Sequence, residues 1–330
     1  MVKGEIKVSV ISPIYNTPEK MLRNNIEHLI SQTLKEIEII LVDDGSKKEI
    51  SDICDEYARK DSRIIVIHQA NSGVSCSRNA GLRKTSGKYV IFIDSDDYIE
   101  EDCLEILYRK AENSDYVAVF SGKIKEYKNV VVSKSKYSNI VMSLPQDIKG
   151  FLEDPLEFSC CGALIKGNIA RKNVFDCSLK YGEDTLFMFN VLSGKRFFYL
   201  GNNKYHYLTH EGNTMNKSEK NDVYKRIEDF SKLLKILNAS SNFEQTRLAD
   251  VILKRKINVA LKKYIQYQTI EKKSYGEICE DLRTKYCKNS KMYVTGNIAQ
   301  DVLTFLFLKK MYGFHYSFQK LILKLNRVKA

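Results

Sequence analysis

Three carboxylates stand directly after an apolar segment in the first third of the chain. Tyr89 to Ile93 are strong strand formers, and they run into Asp94-Ser95-Asp96-Asp97. A continuous apolar strand is typical of a parallel sheet that is buried on both faces. Such sheets bind ligands beyond the carboxyl ends of their strands. Acids this close together repel one another, a cost that a divalent cation or a set of hydroxyls offsets. The alternative is a structural turn in which Asp97 caps the helix that follows.

The elements before this strand place three more polar loops at the same edge. The first 100 residues alternate strand and helix, with strands predicted at 6–11, 37–42, 64–67 and 89–93. This alternation indicates right-handed crossovers and a parallel sheet, so the loops after the strands open on one crevice. Thr17 and Pro18 predict the start of the first helix, with Thr17 as its cap. The crevice loops carry Pro13, Tyr15, Asp43, Asp44 and Arg78.

These side chains together fit a nucleoside diphosphate and its metal. Tyr15 can stack on a planar base, and Asp44 can accept a hydrogen bond from a base N–H. Arg78 can add charge-assisted bonds, and the acids at 94–97 can hold a ribose and a Mg²⁺ or Mn²⁺ shared with phosphates. The sequence has no GxxxxGK[ST] motif and no GxGxxG after the first strand. P-loop and dinucleotide-binding enzymes are therefore disfavoured.

A second pair of acids stands later in the chain. Tyr181-Gly182 form a turn, and Glu183-Asp184 then open an apolar helix. Acids at a helix N-terminus are favoured by the helix dipole, so a structural role would explain either one. A catalytic role for them rests on the resemblance described next.

Five ordered segments resemble family 2 glycosyltransferases, which are inverting enzymes with the GT-A fold. The segments are VSVISPIYN at 8–16, VDDGS at 42–46, NSGVS at 71–75, SRNAG at 77–81 and DSDD at 94–97. The resemblance covers about residues 6–215. It implies an α/β, Rossmann-like and mostly parallel sheet flanked by helices, followed here by a helical C-terminal region. It also implies transfer of a sugar from a UDP-sugar to a hydroxyl of an acceptor.

The residue chemistry and the resemblance together assign the site. The nucleotide-binding candidates are Pro13, Tyr15, Asp44, Arg78, Asp94 and Ser95, and Asp96 is the candidate ligand for Mn²⁺ or Mg²⁺. The resemblance makes Asp184 the general base of a single displacement, which gives a β-linked product from an α-linked UDP-sugar. His210 stands where the family commonly has Arg. Further candidates are Asp43, Asp97, Glu183, His210 and Thr214.

Charge divides the chain into two parts. Residues 217–330 hold 24 basic and 11 acidic residues, whereas residues 1–216 hold 29 and 30. We predict a GT-A domain at 1–216, with a donor half at 1–100 and an acceptor half at 101–216, and a basic helical region at 217–330. A basic amphipathic helix is typical of a membrane-surface binder. The alternative is a helical cap that packs on the first domain.

The remaining features bear on location and on other functions. Eight scattered cysteines without a CxxC pair predict neither a zinc site nor a disulfide framework, which favours a reducing cytosol. The resemblance implies capsule or other surface polysaccharide assembly on a lipid-linked acceptor, at the inner face of a bacterial membrane. Nucleic acid is not an expected partner. The alternative function is a non-catalytic subunit that binds a nucleotide-sugar or glycan for a partner transferase.

Overall fold

The structure is a computed structural model, and it describes most of the chain. The described residues are 5–128, 130–135, 137–144, 146–147, 158–210, 220–239, 257–259, 261–262, 272–287 and 298–328. The chain divides into two compact units. The first unit comprises Met1–Leu179 and Glu183–His210, and the second comprises Lys180–Gly182 and Glu211–Ala330.

Four parallel strands form the first half of the sheet, in the order β3-β2-β1-β4. Every residue of β1, β2 and β4 is buried, which explains their continuous apolar runs. The predicted alternation of strand and helix is confirmed. The elements are β1 (Val8–Ile14), α1 (Glu19–Ile30), β2 (Ile37–Asp43), α2 (Lys48–Lys60), β3 (Ile64–His68), α3 (Val74–Lys84) and β4 (Tyr89–Phe92).

The second half of the sheet mixes parallel and antiparallel pairs. Its elements are β5 (Tyr98–Ile99), α4 (Cys103–Glu112), β6 (Ala118–Tyr127), β7 (Val130–Lys134), β8 (Ile140–Ser143), β9 (Ala163–Lys166), α5 (Gly167–Ala170), α6 (Glu183–Leu192) and β10 (Arg196–Thr209). The sheet continues β4-β9-β6-β10-β5, with β7 beside β6 and β8 beside β10. Strand β9 is antiparallel to both β4 and β6, and β10 is parallel to β6. The carboxyl ends of β1, β2, β4, β6 and β10 therefore share one edge.

Strand β10 differs from the sequence prediction. The apolar and aromatic segments at 197–200 and 205–208 predict two strands, but the structure has a single strand over Arg196–Thr209. Its register against β6 shifts between Leu200 and Tyr205. The polar residues 201–204 thus form an irregularity within one strand, and the strand carries on to the edge where β4 ends.

One cysteine pair was not expected. Cys76, in α3, and Cys177 form a disulfide across 101 residues, with their Cα atoms 5.6 Å apart. The prediction of no disulfide framework is wrong for this pair. A pairing between such distant residues leaves no local spacing signal.

The described part of the second unit is mainly helical. Its helices are α7 (Lys220–Ala239), α8 (Lys272–Tyr286), α9 (Ile298–Leu308) and α10 (Tyr312–Val328). Buried Ile227, Tyr275, Leu282 and Phe307 belong to one apolar core. The spacing of Leu248, Val251, Ile252, Ile257 and Leu261 predicts another helix. Ile257 and Leu261 are helical and buried, and the other three fall outside the described residues. Within the described ranges, no helix is long and apolar enough to cross a membrane.

Candidate active site

The acid turn, residues 94–97, follows β4 and is held through its backbone. The Asp97 N–H donates to the Asp94 carbonyl oxygen at 3.0 Å. Asn25 of α1, which is fully buried, donates through Nδ2 to the carbonyl oxygens of Asp94 and Asp97, at 3.1 and 2.8 Å. Ser12 Oγ donates in turn to Asn25 Oδ1 at 3.4 Å. None of these bonds uses a carboxylate of the turn.

Arg78 of α3 joins the acid turn to the start of α6. Its side chain is 5% exposed and donates to Asp94 Oδ1 at 2.9 Å and to Glu183 Oε1 at 3.2 Å. Burial alone would lower the pKa of the guanidinium, but Cys160 and Asp94 raise it well above its ordinary value, so Arg78 stays charged. Arg78 was predicted to bind the nucleotide. The structure places it between two carboxylates, where it positions both.

Asp96 pairs with His210, which follows the end of β10. The distance from His210 Nε2 to Asp96 Oδ2 is 3.0 Å. Burial and the charge of Asp94 raise the pKa of the Asp96 carboxyl, and His210 acts in the opposite direction. Two of the predicted site residues are thus adjacent. Thr214, a further candidate site residue, falls outside the described residues.

The acid turn fits a metal that is shared with a substrate. Among the described residues, no group of three or more His, Cys, Asp or Glu side chains is arranged to enclose a metal ion. The side chains of Asp94 and Asp96 are 33% and 28% exposed. Burial is the main cause of the raised pKa of Asp96 and the charge of Asp94 adds to it, so a cation bound beside these carboxylates would lower this pKa. A few exposed carboxylates are what Mg²⁺ or Mn²⁺ needs when phosphates supply the other ligands.

Asp97 is a structural acid. It is 1% exposed, and it accepts from the Tyr205 hydroxyl at 2.6 Å and from the Leu208 N–H at 2.8 Å, one bond on each carboxylate oxygen. Strand β5 follows it at Tyr98, and α4 begins only at Cys103. The helix-cap interpretation of Asp97 is therefore wrong. Its side chain ties the acid turn to β10.

Ser95 and Thr17 form a buried hydroxyl pair. Their Oγ and Oγ1 atoms are 2.6 Å apart, and each residue is 6% exposed. Helix α1 begins after Pro18 and has no side-chain cap hydrogen bond, so the prediction that Thr17 caps it is wrong. The pair instead holds the loop after β1 against the acid turn. Ser95, predicted to bind the nucleotide, has its hydroxyl directed to Thr17.

Asp44 shapes the loop that leads into α3. Its Oδ1 accepts from Gln69 Nε2 at 2.7 Å and from the Ser72 N–H at 2.9 Å, and its Oδ2 accepts from the Gly73 N–H at 2.8 Å. This carboxylate therefore fixes the 69–73 loop. Its contact with a base stays a prediction.

Asp43 holds the turn after β2. It accepts from the Ser46 N–H at 2.9 Å and lies 2.9 Å from His68 Nδ1. Burial raises the pKa of the Asp43 carboxyl, but its hydrogen bonds outweigh this and lower it overall. Gly45 has φ of +74°, and an added Cβ would lie 2.9 Å from the Asn71 nitrogen. The turn therefore requires glycine.

Pro13 and Tyr15 flank the carboxyl end of β1. Pro13 is buried in β1, in register with Val42 of β2. Tyr15 is 56% exposed, so its ring is accessible for the stacking that the sequence predicts. The turn beside it is fixed by Asn16, whose Oδ1 accepts from the Lys47 N–H at 2.9 Å.

Glu183 and Asp184 are the first residues of α6, as predicted. Asp184 Oδ1 accepts from the Thr185 N–H at 2.7 Å. Glu183 is 13% exposed, and burial together with the charge of Asp184 raises its pKa to about 7, against the lowering effect of Arg78. The two acids thus differ in setting: Glu183 is held in an ion pair, and Asp184 is half-buried at the helix start.

Sequence reasoning missed the buried supports of the site. Asn25 lies within the first predicted helix and Tyr205 within a predicted strand, and no local signal marks either one, because the partners of both lie far along the chain. Cys160 and Cys161 were predicted to be small buried residues, and both are buried. Cys161 Sγ lies 3.7 Å from the Arg78 guanidinium.

The architecture is similar to that of a solved bacterial protein. The crystal structure of S. aureus TarS 1-349 in complex with UDP-GlcNAc matches with a TM-score of 0.64 and 18% sequence identity. The match covers 96% of this chain and 92% of that one. The fold is therefore the GT-A fold, with a helical region after it.

The sequence comparisons give the family. Residues 9–172 match the model described as Glycosyl transferase family 2. The chain belongs to this family. Glycosyltransferase GlyA of Streptococcus pneumoniae is 34% identical over 227 residues, which are 62% of this chain and 31% of GlyA. Minor teichoic acid biosynthesis protein GgaB of Bacillus subtilis is 32% identical over 254 residues, 72% of this chain and 27% of GgaB. The chain thus spans about a third or less of these relatives.

Proposed function

We propose that the chain is an inverting, metal-dependent glycosyltransferase that moves a sugar from a UDP-sugar to an acceptor hydroxyl. One observation carries the proposal. Arg78 bonds to Asp94 of the acid turn and to Glu183 at the start of α6. The predicted donor-binding acids and the predicted base are therefore held in one place, although about 90 residues separate them in sequence.

In the proposed reaction Asp184 is the general base. Its carboxylate takes the proton of the acceptor hydroxyl while that oxygen attacks the anomeric carbon. The bond from this carbon to UDP breaks in the same step, and its electron pair leaves on the diphosphate. Attack opposite to UDP inverts the anomeric centre, so an α-linked UDP-sugar gives a β-linked product.

The other site residues bind and position. In the proposal Tyr15 and Asp44 contact the base, and Asp94 contacts the ribose. A Mn²⁺ or Mg²⁺ held by Asp96 would neutralise charge on the departing diphosphate. The Arg78–Glu183 pair fixes the helix start that carries Asp184.

Transfer from a panel of UDP-sugars, with Mn²⁺ and a lipid-linked acceptor, tests the proposal. Asp184→Asn should lower kcat by roughly 10²–10⁴-fold with UDP affinity unchanged. The matched control is Asp52→Asn, a surface acid that is 57% exposed and should have no effect. If Asp184→Asn transfers as fast as the wild type, the assigned base is wrong. If UDP binds but no donor is cleaved with any metal, the chain is the non-catalytic binding subunit.

We further propose that the acceptor is a growing bacterial surface glycan at the inner face of the membrane. It is supported by the name of GgaB, a teichoic acid biosynthesis protein. In the second unit, α9 and α10 expose Phe305, Phe314 and Leu321, and the exposed Lys309 and Lys320 are close to them in sequence. An apolar and basic helical surface of this kind fits an anionic membrane.

Point variants in the full chain test this membrane contact. Lys309→Gln with Phe314→Ser should reduce sedimentation with vesicles that contain anionic lipid, because each lysine contributes about 1 kcal/mol there. Undiminished sedimentation would show that the second unit does not bind the membrane through this surface.

A further inference from the structure

The hairpin of β6 and β7 has an apolar tip that the proposed reaction does not use. Val130, Val131 and Val132 are 65%, 50% and 58% exposed, and Tyr127 across the turn is 42% exposed. Tyr127 is in register with Val130, and this pair is the last one before the hairpin turn. Lys128 in this turn has φ of +49°. Successive cross-strand pairs point to opposite faces, so Val130 with Tyr127 lies on one face of the hairpin and Val131 on the other. Exposed apolar side chains on both faces of a projecting hairpin mark an interaction surface.

The exposed charges around these valines are basic among the described residues of the hairpin. Lys128 and Lys134 are exposed, and Lys125 is half-buried. Glu126 is 12% exposed and is bound by His206 Nδ1, so its charge is not presented to solvent. Valines flanked by lysines complement an anionic lipid surface, because the apolar groups enter the acyl boundary and the cations meet the headgroups.

The edge of the hairpin is poorly suited to another strand. Among the described residues, β7 pairs only with β6. The register shifts between Lys125 and Glu126, which makes Val132 an extra residue in the ladder. Bulges and lysines are the features by which proteins prevent an edge strand from pairing with another chain. A lipid surface needs no strand register, so it fits this edge better than a second copy of the chain.

The hairpin turn lies beside the acid turn. Tyr127 is in register with Thr209 of β10, and Thr209 Oγ1 donates to the Glu126 carbonyl oxygen at 2.5 Å. The next residue, His210, lies 3.0 Å from an Asp96 carboxylate oxygen. The hairpin therefore projects from the same sheet edge that carries the candidate active site.

We propose that the hairpin, residues 127–134, docks the first unit on an anionic membrane surface by inserting its valines at the headgroup boundary. Docking in this orientation would bring a lipid-linked acceptor to the acid turn. That consequence rests on the proposed function, whereas the docking itself does not.

Vesicle flotation of the full chain tests the docking. Lys128→Gln with Lys134→Gln should weaken binding to phosphatidylcholine–phosphatidylglycerol vesicles about 30-fold, since each lysine contributes about a fivefold factor. Val130→Ser with Val132→Ser should weaken it as well, and pure phosphatidylcholine should bind little of any variant. The matched control is Lys172→Gln with Val174→Ser, another exposed basic and apolar pair in the first unit. Equal binding of the hairpin and control variants would overturn the proposal.

A local probe separates the hairpin from any other membrane contact. The free cysteines among the described residues are buried, so a thiol introduced by Val131→Cys can be labelled with an environment-sensitive dye. Its emission should shift to the blue with anionic vesicles, and the same dye at Val174→Cys should not shift. An unshifted hairpin dye, or a hairpin variant that changes only the oligomeric state in light scattering, would refute docking. Asp184→Asn should bind vesicles like the wild type, which distinguishes failure of docking from failure of the proposed catalysis.

Discussion

Replacing Arg78 by methionine tests whether one buried cation holds the two halves of the site together. Arg78→Met keeps most of the side-chain volume and removes the charge between Asp94 and Glu183. Removing one partner of a buried ion pair costs about 3–5 kcal/mol, because the remaining charge is left uncompensated. Glu183 reduces this cost by taking up a proton, since its pKa is already raised to about 7. We therefore expect the free energy of unfolding to fall by about 3 kcal/mol at neutral pH, which is the lower limit of this range.

Urea unfolding followed by circular dichroism and tyrosine fluorescence measures this loss; the chain has 20 tyrosines and no tryptophan. The control is Arg196→Met. Arg196 and its partner Asp115 are 56% and 72% exposed, so their pair is worth at most about 1 kcal/mol. Adding Glu183→Gln to Arg78→Met should recover part of the loss. Equal losses for the two arginine variants, or equal effects of Glu183→Gln with and without Arg78, would show that Arg78 does not hold the two acids together.

Three further outcomes are expected. The folded chain keeps a proton on Glu183 up to about pH 7, whereas the unfolded chain loses it near the ordinary pKa of 4.5. Stability should therefore fall by up to about 3 kcal/mol as pH rises through this window, and Glu183→Gln should flatten that part of a pH series of urea midpoints. His315 acts in the opposite direction: burial lowers its pKa from 6.5 to about 4. The second unit should lose stability as pH falls through this range, and thermal melts of His315→Gln that keep the same pH dependence would contradict this. Tyr205→Phe removes the hydroxyl that donates to Asp97, which should cost about 1–3 kcal/mol and weaken UDP binding in calorimetry; unchanged binding would show that Asp97 does not shape the donor site.

The succession of strands and helices in the first unit could be predicted from the sequence, because each element is marked by its own residues. Apolar runs of strand formers and the turn residues after them give β1 to β4 and their parallel pairing. The start of α6 at Glu183 follows in the same way from a glycine turn before two acids. The parallel arrangement then brings the loop residues to one edge without any knowledge of side-chain contacts.

The partners of individual side chains could not be predicted, because they come from distant parts of the chain. Thr17 has the right type and place for a helix cap, but its hydroxyl meets Ser95, 78 residues later. Asp97 likewise precedes a helix, yet its carboxylate accepts from Tyr205, 108 residues later. A single sequence contains the local capping preference but not the tertiary contact that overrides it.

Asn25 has a consequence for how the acid turn can change. Its amide binds two backbone carbonyl oxygens, so the path of the main chain at 94–97 does not depend on the carboxylates of Asp94 and Asp96. Asn25 thereby fixes the backbone of the acid turn, whereas the carboxylates of Asp94 and Asp96 supply its negative charge. Asp96→Asn or Asp96→Glu should therefore leave the backbone of the turn in place, so this position is suited to altering ion preference by substitution.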